Sequence, residues 1–102
     1  MIYLKLHNTE SGNMLAMCDS ALIEMVLSEG DIEINLKDYS EFYTGQLLSK
    51  EKALEFIQKE EIISANIVGV EAVKVGLKRG IIEKENIKKV NKIPYACAVR
   101  IN

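Results

Sequence analysis

The chain is poor in the residues that usually announce a function. Its 102 residues include one histidine, one proline, two cysteines and no tryptophan. A single imidazole rules out multi-histidine metal centres. No GxSxG, HExxH or GxxxxGK[ST] pattern occurs, so the common nucleophile, zinc-protease and phosphate-loop signatures are missing. No apolar run approaches the roughly 20 residues that a membrane-spanning helix needs. The first residues carry Lys5 and pass directly into His7, Asn8, Thr9 and Glu10, without the apolar stretch of a secretory leader. The expected compartment is the cytoplasm. Cys18 and Cys97 belong to no CxxC pair, and in a reducing compartment they read as small buried hydrophobes. A disulfide between them would close a loop of nearly the whole chain.

What is present is the composition of one globular domain spanning residues 1–102. Hydrophobic residues make up 48% and charged residues 27%, too apolar for a disordered chain. A domain of this size buries roughly 60–70% of its unfolded surface and needs no staples. The net charge of −2 conceals a division. Residues 1–70 hold 5 Lys/Arg against 12 Asp/Glu, or −7, and residues 71–102 hold 8 against 3, or +5. Such asymmetry fits a basic binding face or acidic-to-basic self-association, and it equally fits charges that intermix on folding.

Periodicity gives the order of elements. Residues 2–7 alternate as a half-buried strand, with Ile2, Leu4 and Leu6 on one face and Tyr3, Lys5 and His7 on the other. A turn at residues 10–13 leads to a second strand over 14–18. An even-length hairpin loop places Leu4 and Leu6 with Leu15 and Met17, and His7 with Cys18; an odd loop reverses one strand. Asp19 reads as the N-cap of a first helix with the stripe Leu22, Ile23, Val26 and Leu27, ended by Gly30. Residues 31–36 alternate as a third strand. A loop over residues 37–46 carries Tyr39, Phe42 and Tyr43. Ser49 caps a second helix with Ala53, Leu54 and Ile57 inward.

The stretch 62–68 has four β-branched residues among seven and suggests a buried strand, although a helix continuing through Gly69 also fits. Val70, Val73 and Leu77 stripe a third helix, kept thin by Ala72 and Gly76 and stopped at Gly80 before Ile81. Residues 87–90 form a short strand, residues 91–94 turn, and residues 95–101 return as a last strand. The resulting expectation is an α/β or α+β single domain, a mixed sheet with about three helices in the order ββαβαβαββ.

The segment Ala65, Asn66, Ile67, Val68, Gly69, followed by Glu71, Ala72 and Val73, resembles an archaeal family catalogued only as domain of unknown function 424. The resemblance covers essentially the whole chain. It takes in Cys18 and Asp19, the run Glu41, Phe42, Tyr43, Thr44, Gly45, and the final Pro94, Tyr95, Ala96. It implies an archaeal cytoplasmic protein, associated with translation-related neighbours, and it implies no activity. The resemblance leads one to expect histidine after the proline, where this chain has Tyr95. A phenol with an ordinary pKa of about 10 is a poor replacement in acid–base work near neutrality.

Several groups of residues are candidates for chemistry. If residues 62–68 are a strand, Asn66 lies near its carboxyl end and Gly69 opens a helix, where unpaired N–H groups attract an anion; Tyr95 joins them as a ligand-binding candidate. The plainer reading makes Asn66 and Gly69 parts of a tight corner. His7, Cys18, Asp19 and Cys97 are zinc-ligand types without zinc spacing, so neither a metal nor a Cys–His nucleophile is expected. The aromatic loop, with Phe42 and Tyr43, offers a protein-docking or base-stacking surface, or more simply a cover for the core. Lys84, Lys88, Lys89, Lys92 and Arg100 form the main basic cluster, with Lys78 and Arg79 nearby. Gathered on one face they would contact RNA phosphates. The leading expectation is therefore a non-catalytic factor that binds RNA or a ribonucleoprotein, with no cofactor. The alternative is a small-molecule enzyme or an anion- or nucleotide-binding protein using residues 66–69.

Overall fold

A two-residue turn, Glu10 and Ser11, joins strands β1 (Ile2–Thr9) and β2 (Gly12–Asp19), so the hairpin loop is even. Leu4 pairs with Met17 and Leu6 with Leu15, which puts the aliphatic side chains of both strands on one face. A computed structural model describes residues 1–99. The remaining strands are β3 (Val26–Glu29), β4 (Ile32–Asn35), β5 (Gln46–Leu48), β6 (Ile62–Val68), β7 (Ile87–Val90) and β8 (Ile93–Val99). The helices are α1 (Lys50–Ile57) and α2 (Val70–Arg79). Among the described residues no helix is long and apolar enough to cross a membrane.

Six strands make one mixed sheet in the order β5-β1-β2-β6-β8-β7, and β3 and β4 form a separate hairpin. Only β2 and β6 pair in parallel. Residues 62–68 are thus a central strand, as β-branching suggests for a segment buried on both faces. Ser49 caps α1, its hydroxyl accepting from the Lys52 N–H at 3.1 Å. Gly80 stops α2 in the left-handed conformation (φ 83°), and the Ile81 N–H reaches back to the Gly76 carbonyl. Asn91 and Lys92, both at positive φ, turn β7 into β8, two residues earlier than the expected start of the last strand. Ile101, expected at the end of that strand, lies outside the described residues.

The described residues form a large mixed sheet and two helices, and the expected order differs at two places. β5 (Gln46–Leu48) is an added edge strand, paired with β1 where no strand was expected. Residues 19–30 do not form a helix. They form a 3-10 turn over Ser20–Leu22 and then β3, which pairs with β4. Gly30, at φ 60°, is the reason both readings fit: the left-handed backbone that ends a helix also makes a hairpin turn. Tertiary contact decides between them, since Leu27 and Leu36 of this hairpin segment are buried against Ala16, Cys18, Val68 and Val90.

The sheet therefore has two different covers. α1 and α2 close one face over Ile2, Leu4, Leu15, Met17, Ala65 and Ile67, with Ala72 and Gly76 allowing close approach. The hairpin β3–β4 and the aromatic loop cover the other.

Candidate functional site

On the second face, strand alternation places Ala16, Cys18, Asn66, Val68, Tyr95 and Cys97 toward the hairpin and loop. The loop is held there by two side chains of β1. Lys5 donates to the Glu41 carbonyl at 3.0 Å, and His7 Nε2 donates to the Phe42 carbonyl at 2.8 Å. The His7 ring also stacks on Phe42, with centroids 4.4 Å apart, and Phe42 meets Tyr43 edge-to-face at 5.1 Å. The only histidine is thus a clamp for the loop.

The cover is incomplete. A cleft of about 490 Å³ remains between β4 and the loop on one side and β6 and β8 on the other. Its walls carry Tyr39, Phe42, Tyr43 and Tyr95, the thiol of Cys97, the carboxamide of Asn66, and Glu33 at the rim. Asn66 and Cys97 are cross-strand partners. Among the described residues Asn66 makes one side-chain contact, a long 3.8 Å donation to the Met14 Sδ, so its carbonyl oxygen is open to a ligand. Tyr43 is 8% exposed. Burial, and then the neighbouring Cys18 and Cys97 thiols, push the Tyr43 pKa up to about 12, which keeps the hydroxyl protonated. Asn35 is less available, because its side chain is bonded at both ends to Asp38.

Asn66 and Tyr95, two of the three residues expected at a ligand, line this cleft. Gly69 does not. The α2 N-terminus that it opens is already occupied by an anion of the protein itself. Asp19, at the end of β2, accepts from the Glu71 N–H at 3.1 Å and the Ala72 N–H at 2.8 Å. A Cβ on Gly69 would overlap that carboxyl group, and at φ 109° and ψ 157° the backbone suits glycine alone. Gly69 is therefore a corner that admits Asp19, and the expected anion cradle is filled from within. Asp19 caps a helix fifty residues downstream and makes no side-chain cap on the 3-10 turn that follows it.

The zinc-ligand types His7 and Cys18, on one face of the hairpin, are far apart. His7 lies four residues along β1 from Tyr3, the partner of Cys18, a distance of roughly 13 Å at strand rise. Among the described residues no group of three metal-ligand side chains forms. Both cysteines are free. Cys18 is the buried hydrophobe its composition suggested, its pKa pushed up to about 12 by burial and then by Asp19. Cys97 departs from that expectation and is exposed on the cleft wall.

The basic residues do not gather. Lys88 and Lys89 are consecutive on β7 and so point to opposite faces. Lys84 sits between Glu83 and Glu85, and Lys92 is in the β7–β8 turn, where the Asn91 N–H is bonded to Glu29. Arg79 is turned inward onto the Ile57 and Glu60 carbonyls. Arg100 lies outside the described residues. Phe42 and Tyr43 are packed rather than presented; the outward aromatic of the loop is Tyr39, 67% exposed. The missed cleft residues, Tyr39, Glu33 and Cys97, carried no sequence signal beyond the loop's aromatic content. Their convergence depends on β4 crossing above β6 and β8.

No curated protein matches this sequence. A solved structure, that of an uncharacterized conserved protein from Methanopyrus kandleri, has the same fold, with a TM-score of 0.79 and 20% identity over 99% of this chain and 94% of that one. The family described as protein of unknown function DUF424 matches residues 7–101. With nearly its whole length accounted for by that match, the chain belongs to the DUF424 family.

Proposed function

We propose that this protein binds a small organic ligand in the cleft between its sheet and the β3–β4 hairpin. The observation that carries this reading is the lining: four aromatic residues around about 490 Å³, with polar Asn66 among them. A mostly apolar concavity with a few converging polar groups is the usual form of a small-molecule site. The volume lies in the usual range of roughly 300–1,000 Å³. Asn66 and Tyr95 are the residues proposed to meet the ligand, and Gly69 acts by placing β6 against α2. RNA contact, the reading drawn from charge along the chain, receives less support. Salt-dependent phosphate binding needs several cations on one surface, and Lys84, Lys88, Lys89 and Lys92 are spread over both faces and the turn.

The test is a fragment mixture titrated into the ¹⁵N-labelled protein. Aromatic fragments are expected to shift the amides of Asn66, Tyr95 and Cys97 together, and Tyr95→Ala is expected to abolish those shifts. Fragments that bind only elsewhere, or no binding at all, overturn the proposal.

A further inference from the structure

We infer that the ligand of this cleft is an organic cation with an alkylated ammonium head; the inference rests on the binding reading above. Three independent observations converge. First, the walls are aromatic: Tyr39, Phe42, Tyr43 and Tyr95 all line the space, and Phe42 and Tyr43 meet edge-to-face at 82°. Aromatic faces attract a cation that carries its charge behind methyl groups, most strongly where water is excluded.

Second, the charge lining the cleft has one sign. Among its described lining residues Glu33 is the one carboxylate, and lysine, arginine and histidine are absent from the walls. Residues 20–45, which form the cover, hold Glu24, Glu29, Asp31, Glu33, Asp38 and Glu41 against Lys37 alone, a net charge of −5. The excess of acid in the first seventy residues is thus largely the charge of this cover. The cations nearest by register share this face but do not line the walls: Lys5 and His7 are bonded to the Glu41 and Phe42 carbonyls, and Lys88, opposite Tyr95, is exposed on β7. An anionic or phosphorylated ligand would meet repulsion here, and a cation would be drawn in.

Third, Tyr43 brings a hydroxyl group to the cleft. It is more than nine-tenths buried and lines the cleft, and its protonated hydroxyl can donate to or accept from a polar tail while the rings hold the head. The open carbonyl oxygen of Asn66 gives a second, acceptor contact for an N–H or O–H of that tail.

A matched pair of probes tests this. Choline and 3,3-dimethylbutan-1-ol have the same shape and differ in a charged nitrogen against a neutral carbon. Titrated separately into the intact protein and followed at Asn66, Tyr95 and Cys97, choline is expected to bind about 10-fold more tightly than the alcohol. Glu33→Gln is expected to reduce that preference several-fold while leaving the fold, read by the amide spectrum, unchanged. Equal binding of the two probes, or binding of aromatic fragments with neither probe entering, overturns the cation while the cleft reading stands. Failure of every fragment and both probes to reach these residues removes the cleft reading and the cation with it.

Discussion

The two faces of the main sheet solve the same burial problem with different material. The helix face is aliphatic and small: Ile2, Leu4, Leu15, Met17 and Ile67 meet Ala53, Ile57, Ala72 and Val73, and no polar residue is fully buried among the described residues. The opposite face is built from Cys18, Tyr43, Tyr95 and Asn66 under a hairpin and a loop, and it closes only partly. Helices present a continuous stripe and can fill a sheet surface. A two-stranded hairpin is marginal by itself and covers a narrow band. The difference teaches that two helices close one face over an aliphatic core, whereas the hairpin and loop leave a cleft on the other.

Truncating the helix face should break this protein most severely. Leu15→Ala, at a fully buried position, is expected to cost about 2–5 kcal/mol in urea unfolding. Gly69→Ala should come next, because it adds about 1–3 kcal/mol of backbone strain and displaces the Asp19 carboxylate from α2. Asp19→Ala isolates the cap alone and is expected to cost about 1 kcal/mol; a loss equal to that of Gly69→Ala would mean that strain contributes nothing. Tyr95→Ala on the cleft face should change stability least, by under about 1 kcal/mol given its half-buried place, while removing ligand binding. A loss as large as that of Leu15→Ala would show that both faces bear the fold equally.

Alkali sharpens the same comparison. Cys18 has an ordinary pKa of 9.0 and is raised to about 12 in the fold, and Tyr43 moves from 10.0 to about 12. Between the unfolded and folded values the unfolded chain holds fewer protons, so stability falls as pH rises. The contribution is complete below pH 9 and is lost progressively up to about 12. Cys18→Ala should delay the onset of that fall toward pH 10, as read by thermal melting. A thiol reagent should titrate one cysteine, Cys97, in the native protein and the second only on unfolding.

Local structure was legible wherever residue type and backbone demand coincide. The Ser49 cap and the Gly80 stop follow from a capping hydroxyl and an achiral residue, which act within a few residues; β-branching suggested the strand over Ile62–Val68 but left a helix open, and alternation gave β1 and β2 but not their register. The helix expected over 19–30 failed because its signals were ambiguous at that range. Gly30 serves a helix end or a hairpin turn, and Asp19 caps whichever helix start reaches it. Of the three residues expected at a ligand, Asn66 and Tyr95 line the cleft and Gly69 does not; Asn66 at a strand's carboxyl end could be placed from order alone, whereas the filling of the Gly69 corner by Asp19 could not.

By itself the sequence determined an aliphatic strand set, two capped helices and an acidic, tyrosine-bearing segment, because periodicity and capping are short-range properties. Tertiary structure decided which residues meet: that Asp19 crosses fifty positions to hold α2, that the lysines of β7 part to opposite sides, and that the acidic segment lies over Asn66 and Tyr95. Those outcomes depend on strand order and on the burial of Leu27 and Leu36, which are long-range packing choices that no local pattern encodes.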